Sequence, residues 1–171
     1  YGAGRILGLR DSVHTSIAIS IISGLVVMVA GLALCKPMLV LMGTPEDILD
    51  LSVLYMKIYF MGVPVMMVYN FGAAILRAVG DSRRPMYYLV ISGIVNVILN
   101  LFFVIVLHMS VDGVAWATVI SQTLAMILVL ACLIRSNEGI RFIPRQMRID
   151  RQKLKEIVRI GLPAGLQSLL F

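Results

Sequence analysis

Nearly uninterrupted apolar stretches cover residues 13–34, 51–76, 86–108 and 113–134. Each is close to the roughly 20 residues that an α-helix needs to cross the hydrocarbon core of a bilayer, so the pattern predicts four membrane spans. A fifth apolar run starts at Ile157 and reaches Phe171, shorter than a span. Between the first two spans, Thr44-Pro45-Glu46-Asp47 reads as a helix start: Thr44 as the cap, Pro45 at the first helical position, and two acids facing the positive helix end. The second helix is thus expected to start outside the lipid. Within it, Gly62-Val63-Pro64 predicts a kink, because proline has no N–H to donate and its ring crowds the preceding turn at Phe60.

Composition agrees with burial in lipid. Of 171 residues, 60% are hydrophobic and 14% charged, against about 45 to 50% and about 25% in an average soluble domain. This excludes a soluble enzyme or a nucleic-acid-binding domain. The net charge of +6 is explained by position, since 13 of the 15 basic residues fall in three segments. These carry Arg5 and Arg10; Arg77, Arg83 and Arg84; and eight more from Arg135 to Arg159. Spans alternate in direction, so the three segments share one face, and Lys and Arg are retained on the cytoplasmic side. The opposite face keeps Lys36, Glu46, Asp47, Asp50 and Asp112. Lys57 lies inside the second span within reach of the outer interface, and snorkelling accounts for it. Residues 135–156 read as a cytoplasmic connection, with a solvated linker preferred over a segment that binds anionic lipid. Cys35 and Cys132 sit at opposite ends of different runs and are expected to be buried and unable to pair. The chain opens on Tyr1 rather than Met and stops inside an apolar run, as an internal stretch of a longer polytopic protein would.

The polar residues inside the spans carry the chemistry. Ser16, Ser20, Gly24 and Gly31 share one face of the first span, a pattern of close packing. Ser92, Asn96 and Asn100 recur every four residues on the third, and Thr118, Ser121, Gln122 and Ala125 form one stripe on the fourth. The short link after residue 108 makes these two spans an antiparallel hairpin. Counting back from it sets Asn100 level with Ser121, with Asn100 ~12 Å and Thr118 ~8 Å below the outer helix ends. Two readings stand: interhelical glue, or an oxygen-rich pocket able to hold Na⁺ or hydrogen-bond a protonated acid. Asn70 and the Pro64 kink admit the same pair of readings, cavity lining or packing. No Asp or Glu lies deep in these spans. An enzyme is disfavoured: no nucleophile with its base, metal cluster or phosphate loop is present, and His14 and His108 stand at span ends without companions.

Several runs resemble the multidrug and toxic compound extrusion family of secondary transporters: YGAGR at 1–5, LMGTPEDILDLS at 41–52, RAVGDSRRP at 77–85, and the NVILN to DGVAWATVISQ pattern over 96–122. The resemblance implies an all-α, polytopic membrane helix bundle, with this chain matching helices three to six of the N-terminal lobe of a twelve-helix, two-lobe transporter. Residues 135–156 would then be the interlobe connection, and 157–171 the start of the seventh helix, which GLPAGLQSLLF resembles.

What the resemblance implies for function is export of amphipathic, often cationic, compounds across the cytoplasmic membrane by antiport with Na⁺ or H⁺. It implies no cofactor and no nucleic acid; the partners are the bilayer, small amphipathic substrates and the second lobe. Family members use an acidic residue on the first helix with polar partners on later ones, which Asn96, Asn100 and Thr118 match by motif; some carry Asp where this chain has Asn100. Ser121, Gln122 and Asn70 join the expected pathway, and Pro64 the bend. The nearest alternative is a related flippase for lipid-linked sugars, which arginines within the spans would favour; a membrane scaffold that transports nothing is the other.

Overall fold

The structure of the protein, a computed structural model, describes residues 3–136 and 139–170. Tyr1, Gly2 and Phe171 of the terminal motifs lie outside the described residues, as does the side chain of Arg5. Lipid offers backbone groups no hydrogen-bond partner, so an apolar chain closes its bonds internally as helix. Helix α1 runs Ala3–Leu41, α2 Glu46–Met61, α3 Val63–Ala78, α4 Arg83–Leu101, α5 Val111–Arg135 and α6 Arg151–Leu170. A π-helical turn, Phe102–Val106, continues α4. Among the described residues, Gly8–Leu41, Arg83–Val106 and Val111–Arg135 are each long and apolar enough to cross a membrane, and α2 with α3 makes a fourth span if taken as one bent helix.

Helix ends follow local chemistry rather than the limits of the apolar runs. Helix α1 continues past residue 34 until Gly43 takes a φ of +74°. There the Gly43 and Thr44 amides turn back onto Val40 O and Leu39 O, at 3.1 Å each. Thr44 is not the cap of α2: that place is held by Pro45, extended at φ −55° and ψ 142°, and no side-chain capping bond forms. Glu46 and Asp47 still occupy the first turn, where the helix dipole favours acids.

The bend falls within the expected Gly62-Val63-Pro64 step, two residues before the proline. Helices α2 and α3 meet at Gly62 at 42°. Pro64 falls in the first turn of α3, where its missing N–H costs nothing. Small residues on α1 accommodate the bend: a Cβ at Gly24 would stand 2.6 Å from the Pro64 Cα, and one at Gly31 would collide with the Phe60 ring. A Cβ at Gly62 would meet Val119 Cγ2 of α5 at 2.8 Å. The bent α2–α3 pair thus lies between α1 and α5, and α4 packs on the far side of α5.

The hydrophobic core gathers at one end of this bundle. Val13 and Ile17 of α1, Ala73 and Leu76 of α3, and Val129 and Leu133 of α5 pack there with Phe142. Phe142 belongs to the stretch between α5 and α6, which is therefore not the solvated linker expected from its charges. Its ring is 5% exposed, and its amide donates to Leu133 O at 3.1 Å. His14, far from lacking companions, is 3% exposed and faces Phe142, with ring centroids 5.4 Å apart. Its Nδ1 lies 2.8 Å from Arg10 O and so carries the proton, leaving Nε2 to accept from the Ile143 amide at 3.2 Å. Thr15 Oγ1 accepts from the Asp150 amide at 3.1 Å. Asp150 in turn caps α6, its Oδ1 accepting from the Gln152 and Lys153 amides at 2.8 and 3.1 Å. The basic stretch from Arg151 is thus helical, six residues earlier than the apolar run that starts at Ile157.

The three Arg-rich segments meet at this core end. Arg10 bonds Gln146, and Arg84 shares a cavity with Arg135 and Gly139. Cys35 and Cys132 are both buried and free.

Candidate functional site

The contact between α4 and α5 is polar where both helices should be most apolar. Ser92, 2% exposed, donates to Ser121 O at 2.6 Å and pins the two backbones together. One turn on, Asn96 Nδ2 donates to Ser121 Oγ at 3.1 Å and to Thr118 Oγ1 at 3.4 Å. Both hydroxyls give their own protons to α5 carbonyls, Thr118 to Val114 O at 3.1 Å and Ser121 to Thr118 O at 2.9 Å. They can therefore only accept from Asn96, which fixes its amide with the NH₂ toward α5 and Oδ1 toward the next turn. There Asn100 Nδ2 donates to Asn96 Oδ1 at 2.9 Å. The relay leaves one end open: Asn100 Oδ1 is buried and has no hydrogen-bond partner among the described residues. A buried acceptor without a donor costs about 1–3 kcal/mol, so this oxygen marks where a donor or a cation would be held.

The register differs by one turn from the sequence expectation. Ser121 faces Ser92 and Asn96 rather than Asn100. The hairpin turns earlier than expected: helical structure ends at Val106 and resumes at Val111, rather than at 108 and 113, which draws Asn100 toward the outer end, and the wider π turn at Phe102–Val106 shortens the helix a little further. Leu107 closes that turn on Phe102 O at 3.2 Å, and Met109 bonds Phe103 O at 2.9 Å before α5 starts.

The other expected residues are dispersed. Gln122, next to Ser121, is half-buried, and Asn70 of α3 is exposed; neither makes a side-chain hydrogen bond to the relay among the described residues. Pro64 stands at the α2–α3 bend against α1, apart from the relay's hydrogen bonds. Ser92 was noted on the stripe without being placed among the site residues. Its four-residue spacing from Asn96 was the available signal. No cluster of three or more His, Cys, Asp or Glu occurs among the described residues, so a cation here would rest on neutral oxygens.

Residues 1–102 match the family described as MatE. The chain belongs to that family. Two Bacillus subtilis (strain 168) relatives are each called a probable multidrug resistance protein. YpnP is 33% identical over 82% of this chain and 31% of its own length. YoeA is 32% identical over 99% of this chain and 38% of its own length. The crystal structure of a MATE protein in complex with MaD3S superposes with a TM-score of 0.84 at 28% identity, covering 96% of this chain and 39% of that one. The chain thus spans about a third of the length of the curated relatives it matches. It is a multi-pass membrane helix bundle with the MatE fold.

Within this MatE chain, the relay lies between α5, which is well covered, and α4, whose other faces are largely exposed. Only 6% of the apolar window of α4 is buried within the chain.

Proposed function

We propose that this chain forms part of the N-terminal lobe of a secondary exporter, which moves amphipathic, often cationic, compounds out across the cytoplasmic membrane in exchange for Na⁺ or H⁺. The Arg-rich end faces the cytoplasm. The observation that carries this reading is the buried, unpartnered Asn100 Oδ1 at the end of the Asn96–Thr118–Ser121 relay. The names of the multidrug relatives support the substrate class.

In this reading Asn100 Oδ1 offers a neutral ligand to a cation, and a carboxylate from outside this chain supplies the charge. Amides and hydroxyls do not titrate near neutral pH, so proton coupling would run through that carboxylate, with Asn100 as its hydrogen-bond donor or acceptor. Cation binding favours one arrangement of the helices and drug the other, which is the thermodynamic requirement for exchange. The α2–α3 break at Gly62 and Pro64 gives the bundle a place to flex without breaking further backbone bonds.

The test is efflux of a lipophilic cationic dye by the complete protein in cells lacking other exporters, with Na⁺ and proton gradients imposed separately. Efflux driven by one gradient establishes antiport and names the ion. A properly inserted protein that moves no dye under either gradient refutes the reading.

A further inference from the structure

Apart from the relay, charge gathers without ion-pair partners among the described residues at a cavity of about 400 Å³ at the Arg-rich end, between the first turns of α1 and the segment leading into α6. Arg10, Asp11, His14, Arg145, Gln146 and Arg148 line it. Three guanidinium groups face one carboxylate. The ion pairs among the described residues are Arg84 with Asp81 and Lys153 with Glu156, so none of the three cavity arginines is neutralised by an ion pair. The walls are built rather than loose. Ile143 is held by His14, Asp150 by Thr15, and a single 3₁₀ turn, Pro144–Gln146, fixes the backbone between them. Gln146 also receives a hydrogen bond from Arg10.

The height of the cavity on α1 selects the ligand. Arg10 lies one turn before Val13 and Ile17, where the apolar run of this membrane helix starts, so the arginines stand at the level where lipid headgroups lie. A guanidinium fork matches two oxygens of a phosphate, and basic pockets between membrane helices at this level hold anionic headgroups. We propose that this cavity binds the phosphate of an anionic phospholipid headgroup. The proposal concerns a site apart from the relay and is independent of what the protein exports. Through His14 and Thr15, such a lipid would brace the segment that carries α6.

The test uses the complete protein in detergent, titrated with dioleoylphosphatidylglycerol or dioleoylphosphatidylcholine and read by native mass spectrometry. The expected result is preferential retention of phosphatidylglycerol, weakened about fivefold by each of Arg145→Gln and Arg148→Gln and unchanged by Arg83→Gln, at an exposed arginine on the same end of the bundle. Arg145 and Arg148 are exposed, and thermal unfolding without added lipid verifies that the variants keep their fold. Equal retention of both lipids by the unmodified protein overturns the proposal, as does undiminished phosphatidylglycerol binding by the folded double variant. Displacement of the lipid by millimolar inorganic phosphate assigns the cavity to a soluble phosphate instead and overturns the lipid assignment.

Discussion

Asn100 donates its side-chain amide to Asn96 Oδ1 at 2.9 Å while its own carbonyl oxygen stays buried without a donor. The two asparagines therefore play different parts in one relay. Asn96 is satisfied on both sides and ties α4 to α5; Asn100 closes nothing across the helix pair and presents the free acceptor.

That asymmetry predicts a stability ranking. Asn96→Ala removes bonds to Thr118, Ser121 and Asn100, and interhelical hydrogen bonds in membrane proteins average about 0.6 kcal/mol each. A loss of about 1–2 kcal/mol is expected. Asn100→Ala removes one bond together with the unsatisfied acceptor, and its cost should fall below about 0.6 kcal/mol. Unfolding of both variants in mixed detergent micelles checks the order; a costlier Asn100→Ala would show that the relay is wrongly assigned.

The α1 face that receives the bend predicts a steric effect. Gly24→Val puts a branched side chain where a Cβ already stands 2.6 Å from the Pro64 Cα, and backbone cannot yield as a side-chain tip does. A destabilisation of about 1–3 kcal/mol or more is expected, as for overpacked cores. Gly93→Ala, at a helical site where an added Cβ meets nothing within 4 Å, should unfold at the same temperature or slightly higher. Thermal unfolding of the two proteins side by side is the measurement, and equal behaviour would contradict the packing described.

The anchored segment before α6 predicts protease resistance. Arg141, Arg145 and Arg148 are exposed on it, but trypsin needs the backbone to detach. Phe142→Ala empties a core position, a change that costs about 3–5 kcal/mol in well-packed proteins. Cleavage at these arginines should then accelerate markedly, with His14→Ala giving a smaller effect through loss of the Ile143 bond and of the ring packed against Phe142. Cleavage of the unmodified protein as fast as that of the Phe142 variant would return the segment to a solvated linker.

The parts of the fold legible in the sequence were those marked by local pattern. Apolar runs of spanning length announced the helices, and Ser92, Asn96 and Asn100 at four-residue intervals announced one face of α4, because asparagine in an apolar run is costly enough to need a reason. The register was not legible: the apolar run continues through Leu107, so nothing in it marks that helical structure ends at Val106 and resumes at Val111, and the FFVIV segment carries no signature of its π turn. Gly62-Val63-Pro64 pointed to the bend, and the break falls at Gly62; what stayed hidden was its neighbour, Val119 of α5, which leaves no room for a side chain there. The anchoring of Phe142 and Ile143 was least visible. It joins residues more than a hundred positions apart, partly through backbone groups, and mixed charge on the exposed side masked the buried aromatic ring.

If Asn100 takes part in ion coupling, dye efflux from proteoliposomes should distinguish the complete protein from its Asn100→Ala variant at matched, verified insertion. The unmodified protein should accelerate efflux under one imposed cation gradient, and the variant, nearly as stable, should lose most of that acceleration. An Asn100→Ala protein whose efflux and ion dependence match the unmodified protein would contradict it.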